Sequence, residues 1–221
     1  MQKAVLFDVD GVLVDSFQAH FRSWLMLAEE NGFSFTREDF TSTFGRTSRD
    51  IIAALWPVDD LDDEQIRSLD DRKEALYREI VADDFPAMDG AVELIDALGE
   101  AGFRLAVGSS GPPENVNLVL ERLGRAEAFA TIITGNDVTR GKPDPHVYQL
   151  AADRLKIRPG RCAVIEDAPA GIAAARAAKM AAIGLASTGR TVQELAAADL
   201  VVGSLRELSA ARISALIEPG R

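Results

Sequence analysis

The 221 residues contain a single cysteine, Cys162, so no intramolecular disulfide can staple this chain, and a reducing cytoplasm is the expected compartment. Long hydrophobic runs are missing too. No apolar stretch approaches the ~20 residues of a membrane span, and no membrane partner is expected. Asp8 and Asp10 break the first apolar run almost at once, so no secretory leader is expected there. Positive charge is scarce: 24 Lys and Arg stand against 35 Asp and Glu, a net charge of -11. That balance excludes the basic footprint of a sequence-independent nucleic-acid binder. It also means that an anionic ligand must find its positive charge locally. Internal repeats and low-complexity tracts are absent.

What is present is an ordinary globular composition, 47% apolar and 27% charged, long enough for one large domain or a domain with a smaller lobe. Short apolar runs recur at Val5–Phe7, Phe103–Val107, Thr131–Thr134, Cys162–Ile165, Ala181–Leu185 and Leu200–Val202. Runs of this length, apolar on both faces, read as buried parallel strands, and most intervals between them suit helical crossovers. The expected fold is α/β, a doubly wound parallel sheet.

The first interval is far longer than one crossover needs, and it reads as helical throughout. Phe17–Asn31 stops at Gly32; Thr36-Arg-Glu-Asp39 has the form of a capping box with Asp in place of Glu. Thr47–Trp56 stops at Pro57, and Asp62–Val81 opens with an acidic first turn. An all-helical lobe over residues 17–85 is therefore expected, inserted into a core of residues 1–16 and 86–221, where it would cover the carboxyl end of the first strand. Ile66, Leu69, Lys73, Leu76 and Ile80 follow a helical stripe. Lys73 either snorkels at the edge of that stripe or aims a cation at the cleft between lobes. His20 shares a face with Phe17 and Trp24, which by pattern alone favours a satisfied, partly buried histidine.

Polar groups gather where strands end. Lys3-Ala-Val-Leu-Phe7 runs into Asp8-Val9-Asp10-Gly11-Val12; Ser109 and Ser110 follow the second strand; Gly141-Lys142-Pro143-Asp144-Pro145 follows the third; Glu166 and Asp167, then Pro169 and Gly171, follow the fourth. Each group has a structural excuse: serines and glycines make turns, Asp144 can cap a helix with Pro145 at its first position, and Asp167 can cap another. In a parallel sheet, however, all four sets meet on one edge, where ligands of open α/β sheets bind.

Together they supply what phosphoryl transfer through an aspartyl-phosphate requires. Asp8 is the candidate nucleophile, and Asp10 the acid that protonates the leaving oxygen and later activates the incoming one. Ser109 and Lys142 can hold phosphoryl oxygens. A hard Mg²⁺ suits the carboxylates of Asp8 and Asp167 and the carbonyl of Asp10, with Glu166 in or near the shell.

The motifs Asp8-Val-Asp10-Gly-Val, the serine after the second strand, Lys142-Pro143, and Glu166-Asp167 before Ala170-Gly171-Ile172 resemble those of the haloacid dehalogenase superfamily, in order and over essentially the whole chain. The resemblance implies a Rossmann-like core, a Mg²⁺-dependent aspartyl-phosphate mechanism and a helical type-1 cap. His20-Phe-Arg-Ser-Trp24, Thr47-Ser-Arg49 and Arg72-Lys73 are similar to the hinge and cap motifs of the β-phosphoglucomutase subgroup. That similarity implies that His20 helps position Asp10, while Arg49 and Lys73 reach the substrate. Gly11 and Ser110 are expected to contact the substrate from the core. One departure matters. The mutase loop resembles Ser-x-Ser-Lys-Asn, whose Lys-Asn pair grips a second phosphate; here the stretch is Ser109-Ser110-Gly111-Pro112-Pro113-Glu114. Charge-assisted contacts are worth about 1.5–3 kcal/mol each, so hydrolysis is favoured over mutase chemistry, with Asn115 and Arg49 left to compensate. The expected partner is a small phosphorylated molecule, and the expected state a monomer or weak homodimer. A phosphorylated signalling receiver fits poorly, because its acceptor follows a middle strand and no helical lobe interrupts it.

Overall fold

A computed structural model describes residues 2–43, 48–56 and 61–217; Thr47 and Pro57 lie outside that set. The apolar runs form β1 (Ala4–Phe7), β2 (Arg104–Gly108), β3 (Phe129–Ile133), β4 (Cys162–Glu166), β5 (Ala181–Leu185) and β6 (Leu200–Val202). Between β1 and β2 come α1 (Phe17–Glu30), α2 (Arg37–Thr43), α3 (Ser48–Leu55), α4 (Asp63–Asp83) and α5 (Ala91–Glu100). Then α6 (Pro113–Leu123) joins β2 to β3, α7 (His146–Leu155) joins β3 to β4, α8 (Pro169–Ala177) joins β4 to β5, and α9 (Ala210–Leu216) follows β6. Among the described residues, the strands pair in parallel in the order β3-β2-β1-β4-β5-β6. The Rossmann-like α/β fold is thus the one read from the sequence. The link from β5 to β6 uses turns instead of a helix.

Contacts divide the chain into two units, Met1–Asp15 with Pro86–Arg221, and Ser16–Phe85. In the first, alternation along the strands sends Ala4 and Leu6 to one face of the sheet. There they join Ala106, Val164 and Ala182 under Val147, Tyr148 and Ala151 of α7 and Ile172 and Ala175 of α8, all buried. Phe7, on the other face, meets the ring of Phe129 edge-on at 5.9 Å. Burying β1 on both faces explains why its sequence is a continuous apolar run instead of an alternating one. Cys162 lies in this interior, where burial pushes its thiol up to about 12, so it is an inert packing group.

The second unit has its own core: Phe17, Trp24 and Leu27 from α1, Phe40 from α2, Ile51 and Ile52 from α3, and Leu76 from α4. Two of its starts are reciprocally capped. The Thr36 hydroxyl accepts from the Asp39 N–H at 3.1 Å while Asp39 accepts from the Thr36 N–H at 2.8 Å, and Asp62 and Gln65 do the same for α4. No helix among the described residues is long and apolar enough to cross a membrane.

Candidate active site

The strand order reverses direction beside β1, between β2 and β4, and in doubly wound sheets a crevice opens at that switch, beyond the carboxyl ends of the strands. Register places the acids of the two strands side by side: Phe7 pairs with Ile165, and the Asp8 N–H donates to the Ile165 carbonyl at 3.0 Å. Beyond Asp8 the chain folds back on itself, with the Leu13 N–H on the Val9 carbonyl at 2.8 Å and the Gly11 N–H on the Val14 carbonyl at 2.9 Å. Gly11 has φ +72, and a Cβ on it would stand 2.2 Å from Asp167 Oδ2. Both the left-handed backbone and the approaching carboxylate require glycine here.

One oxygen from each of Asp8, Glu166 and Asp167 falls within 4.8 Å of the others. Lys142 reaches into the group from the loop before α7, its side chain only 8% exposed, and spends its three protons on Asp8 Oδ1 at 2.8 Å, Glu166 Oε1 at 2.6 Å and the Gly108 carbonyl at 3.0 Å. Glu166 is 0% exposed. Its second oxygen accepts the N–H groups of Asp167 and Ala168, at 3.1 and 3.3 Å. Gly171 leaves it room, since a Cβ there would stand 1.8 Å from Glu166 Oε1. Asp167 does not cap α8: the cap position is Ala168, with no side-chain bond. Asp144 does serve α7, through the His146 N–H at 3.0 Å, with Pro145 at the cap position instead of the first helical one.

Burial and mutual repulsion dominate the electrostatics. Desolvation, then the charge of Glu166, lifts Asp8 to about 7, against the opposing pull of Lys142. Asp167 is raised well above the carboxylate range by burial, Glu166 and Asp8, with Arg190 opposing. Burial disfavours the ammonium of Lys142, but Asp8 and Glu166 outweigh it and raise that group. A buried, all-oxygen acid cluster whose one ammonium leaves an excess of negative charge fits a hard divalent cation in donor chemistry and in charge.

Ser109, 1% exposed, follows β2; its hydroxyl accepts from the Gly111 N–H at 3.0 Å. A Cβ on Gly111 would lie 3.4 Å from Ser109 Oγ and 3.8 Å from Asp10 Oδ2, so the hydroxyl and the second acid look onto the same spot. Ser110 is exposed, and its carbonyl packs on Gly135, whose N–H ties this loop to the next through the Gly111 carbonyl at 2.9 Å.

In the helical unit, His20 and Lys73 meet. Lys73 is 3% exposed, so it does not snorkel to water. Its Nζ lies 2.8 Å from His20 Nδ1 and 2.8 Å from Glu74. An ammonium can only donate, so Nδ1 is the accepting atom of this contact. The imidazole also stacks on Tyr77 at 4.1 Å. Arg72 instead clasps Glu30 and Glu79 at the surface, and Arg49 is exposed on α3.

Two residues at the acid cluster are missing from the sequence-based set. Tyr148, on the buried face of α7, donates to Glu166 at 2.6 Å, and an aromatic on an apolar helical face reads as plain core. Arg190, its side chain 11% exposed, bears on Asp167 from the loop beyond β5. The strand-end rule that selects the other loops would have found it.

The model of the haloacid dehalogenase-like hydrolases matches residues 2–179. The chain belongs to this hydrolase family. It is 33% identical over 211 residues to validoxylamine A 7'-phosphate phosphatase of Streptomyces hygroscopicus subsp. limoneus, covering 94% of this chain and 96% of that protein. It is 30% identical to β-phosphoglucomutase of Bacillus subtilis, over 94% of this chain and 92% of that one. Among solved structures, CbbY from Rhodobacter sphaeroides in complex with phosphate superposes with a TM-score of 0.88 at 28% identity, covering 96% of this chain and 99% of that one. This haloacid dehalogenase-like hydrolase carries an acid, a serine, a lysine and an acid pair after β1, β2, β3 and β4.

Proposed function

We propose that this hydrolase is a Mg²⁺-dependent phosphatase that acts on a small phosphorylated metabolite, a sugar phosphate, through a phosphoryl group carried on Asp8. The observation that carries the proposal is the placement of Asp8 at the exit of β1, held by Lys142 at 2.8 Å within an all-oxygen acid cluster. An oxygen of the Asp8 carboxylate attacks phosphorus. Asp10 passes a proton to the departing sugar oxygen, and then takes one from the water that attacks the acyl phosphate, releasing phosphate and restoring Asp8. The Lys142 ammonium sets its positive charge beside the phosphoryl oxygens, and the Ser109 hydroxyl donates to one of them, as charge builds there. The carboxylates of Asp8 and Asp167 and the carbonyl of Asp10, with Glu166 beside them, would hold Mg²⁺, which neutralises repulsion between carboxylate and phosphate. Gly11 and Ser110 are assigned to the phosphate's surroundings, and His20, Arg49 and Lys73 to recognition of the rest of the substrate. Relatives named for phosphatases of phosphorylated carbohydrates and hexitols support the substrate class.

The similarity to a β-phosphoglucomutase favours a second reading, intramolecular phosphoryl transfer between sugar positions. Against it stands the loop Ser110-Gly111-Pro112-Pro113-Glu114, which offers no side-chain cation and, at its prolines, no N–H for a second phosphate. Phosphate release across sugar phosphates, phosphoglycolate and nucleotides decides between them. Hydrolysis that needs Mg²⁺ and disappears in Asp8→Asn is expected. Conversion of β-glucose 1-phosphate to glucose 6-phosphate, stimulated by a bisphosphate and without net phosphate release, would establish the mutase instead.

A further inference from the structure

Glu166 has all of its hydrogen-bonding capacity in use. Oε1 accepts from Lys142 and from Tyr148, each at 2.6 Å, and Oε2 from two backbone N–H groups; a carboxylate offers about four lone-pair sites. Lys142 is equally committed, its three protons going to Asp8, Glu166 and the Gly108 carbonyl. Tyr148 touches both of these groups. Its hydroxyl closes the Glu166 set, and its ring lies 5.0 Å from the Lys142 nitrogen, within cation–π range. The ring edge fills the space left by a missing side chain: a Cβ on Gly108 would stand 2.8 Å from Tyr148 Cε1. The residue that orients the lysine's carboxylate partner is thereby wedged against the strand whose last carbonyl is another of that lysine's acceptors.

We propose that Tyr148 is a positioning residue: its hydroxyl fixes the Glu166 carboxylate and its ring fixes the Lys142 ammonium, so that the ammonium stands against Asp8. The proposal rests on the reading of Asp8 and Lys142 as the reacting and charge-bearing groups. A lysine head on a flexible four-carbon stem has no preferred direction of its own, so its aim is set by its acceptors. Without the hydroxyl, Glu166 Oε1 gains a free lone pair and can swing, and Lys142 follows it away from Asp8. A tyrosine that only filled the core would have its role kept by phenylalanine, which preserves the ring.

Tyr148→Phe therefore separates the two. In ¹⁵N-lysine-labelled protein, the Lys142 ammonium signal, assigned by its loss in Lys142→Arg, is expected to exchange with water about tenfold faster in Tyr148→Phe than in the natural chain. For the sugar phosphate hydrolysed best, kcat is expected to fall about tenfold with KM unchanged within twofold. An unchanged ammonium exchange overturns the positioning role, whatever the turnover; so does an unchanged kcat in an active enzyme. Should the natural chain release no phosphate while the ammonium signal still responds to the hydroxyl, the phosphatase reading falls and the positioning of Lys142 stands.

Discussion

Two glycines show how small the margin is around the acids. At Gly171 an added methyl would overlap Glu166 Oε1, and the part free to move is the end of the glutamate, the group that orients Lys142. Gly171→Ala should gain about 1 kcal/mol of helix propensity and lose about 1–3 kcal/mol as donors lose their acceptor. The net in a urea melt should be a loss of up to about 2 kcal/mol, while kcat should fall roughly a hundredfold, as expected for ångström-scale displacement of a positioned group. Gly11→Ala acts on Asp167 instead, through a clash at 2.2 Å and a left-handed backbone. If Asp167 holds Mg²⁺ as proposed, the signature should be a rise of about 10–100-fold in the Mg²⁺ needed for half-maximal phosphate release, the usual effect of disturbing what orients a metal's ligand. The meeting of Asp8, Lys142, Glu166 and Asp167 was legible in the sequence, because acids and a lysine straight after buried strands share one sheet edge. Tyr148 was not, for its function depends on which side of α7 faces Glu166. Nor was the His20–Lys73 bond, which joins residues 53 positions apart on different helices.

Among the elements, α4 is the one whose sequence says most about its own limits. Asp62 accepts from the N–H groups of Glu64 and Gln65, at 3.0 and 2.8 Å, and Gln65 returns a bond to the Asp62 N–H. Asp62→Ala should cost about 1 kcal/mol, read as a lowered urea midpoint for loss of helical signal with phosphatase turnover kept. Leu76, fully buried in the same helix, should cost about 2–5 kcal/mol as Leu76→Ala. The strands were legible for a related reason: burial on both faces writes four or five apolar residues in a row, as in Cys162-Ala-Val-Ile165. Their ends were less so. β2 runs one residue further than its apolar run, to Gly108, because pairing with Ile133 continues there, and β3 begins earlier, at Phe129, where pairing with Leu105 starts. Backbone pairing, unlike burial, leaves no mark on residue type. The helix-free link from β5 to β6 is invisible for the same reason, since Thr191–Asp199 contains nothing that forbids a helix.

For the molecule as a whole, the buried acids should make stability depend on pH and on magnesium together. Asp8, ordinarily near 3.8, titrates at about 7 in the folded chain because burial and Glu166 disfavour its charge. Between those values the folded protein holds a proton that the unfolded one has released, so stability falls as pH rises through the window, by on the order of 4 kcal/mol if the whole shift is expressed. Asp167, raised in the same sense, adds to the fall. Surface carboxylates held low by their partners, such as Asp96 beside Arg125 and Asp137 beside Thr134 and Arg154, work the other way, losing their contribution only as pH drops below the ordinary carboxylate range. The metal-free melting temperature should accordingly peak near pH 5 and decline toward pH 8. A cation reverses the decline: at pH 8 it meets ionised oxygens and displaces few protons, whereas at pH 5 it must compete with them, so the stabilisation from saturating Mg²⁺ should be larger at pH 8. Asp8→Asn, which cannot ionise at that position, should flatten the metal-free decline and shrink the response to Mg²⁺. Thermal melts in chelator and in millimolar Mg²⁺ across this range test the whole chain of reasoning, and a metal-free melting temperature that climbs steadily from pH 5 to pH 8 would contradict it. The contest between burial and charge that makes Asp8 costly to ionise is the same one that a bound cation would settle by pairing with the ionised oxygens.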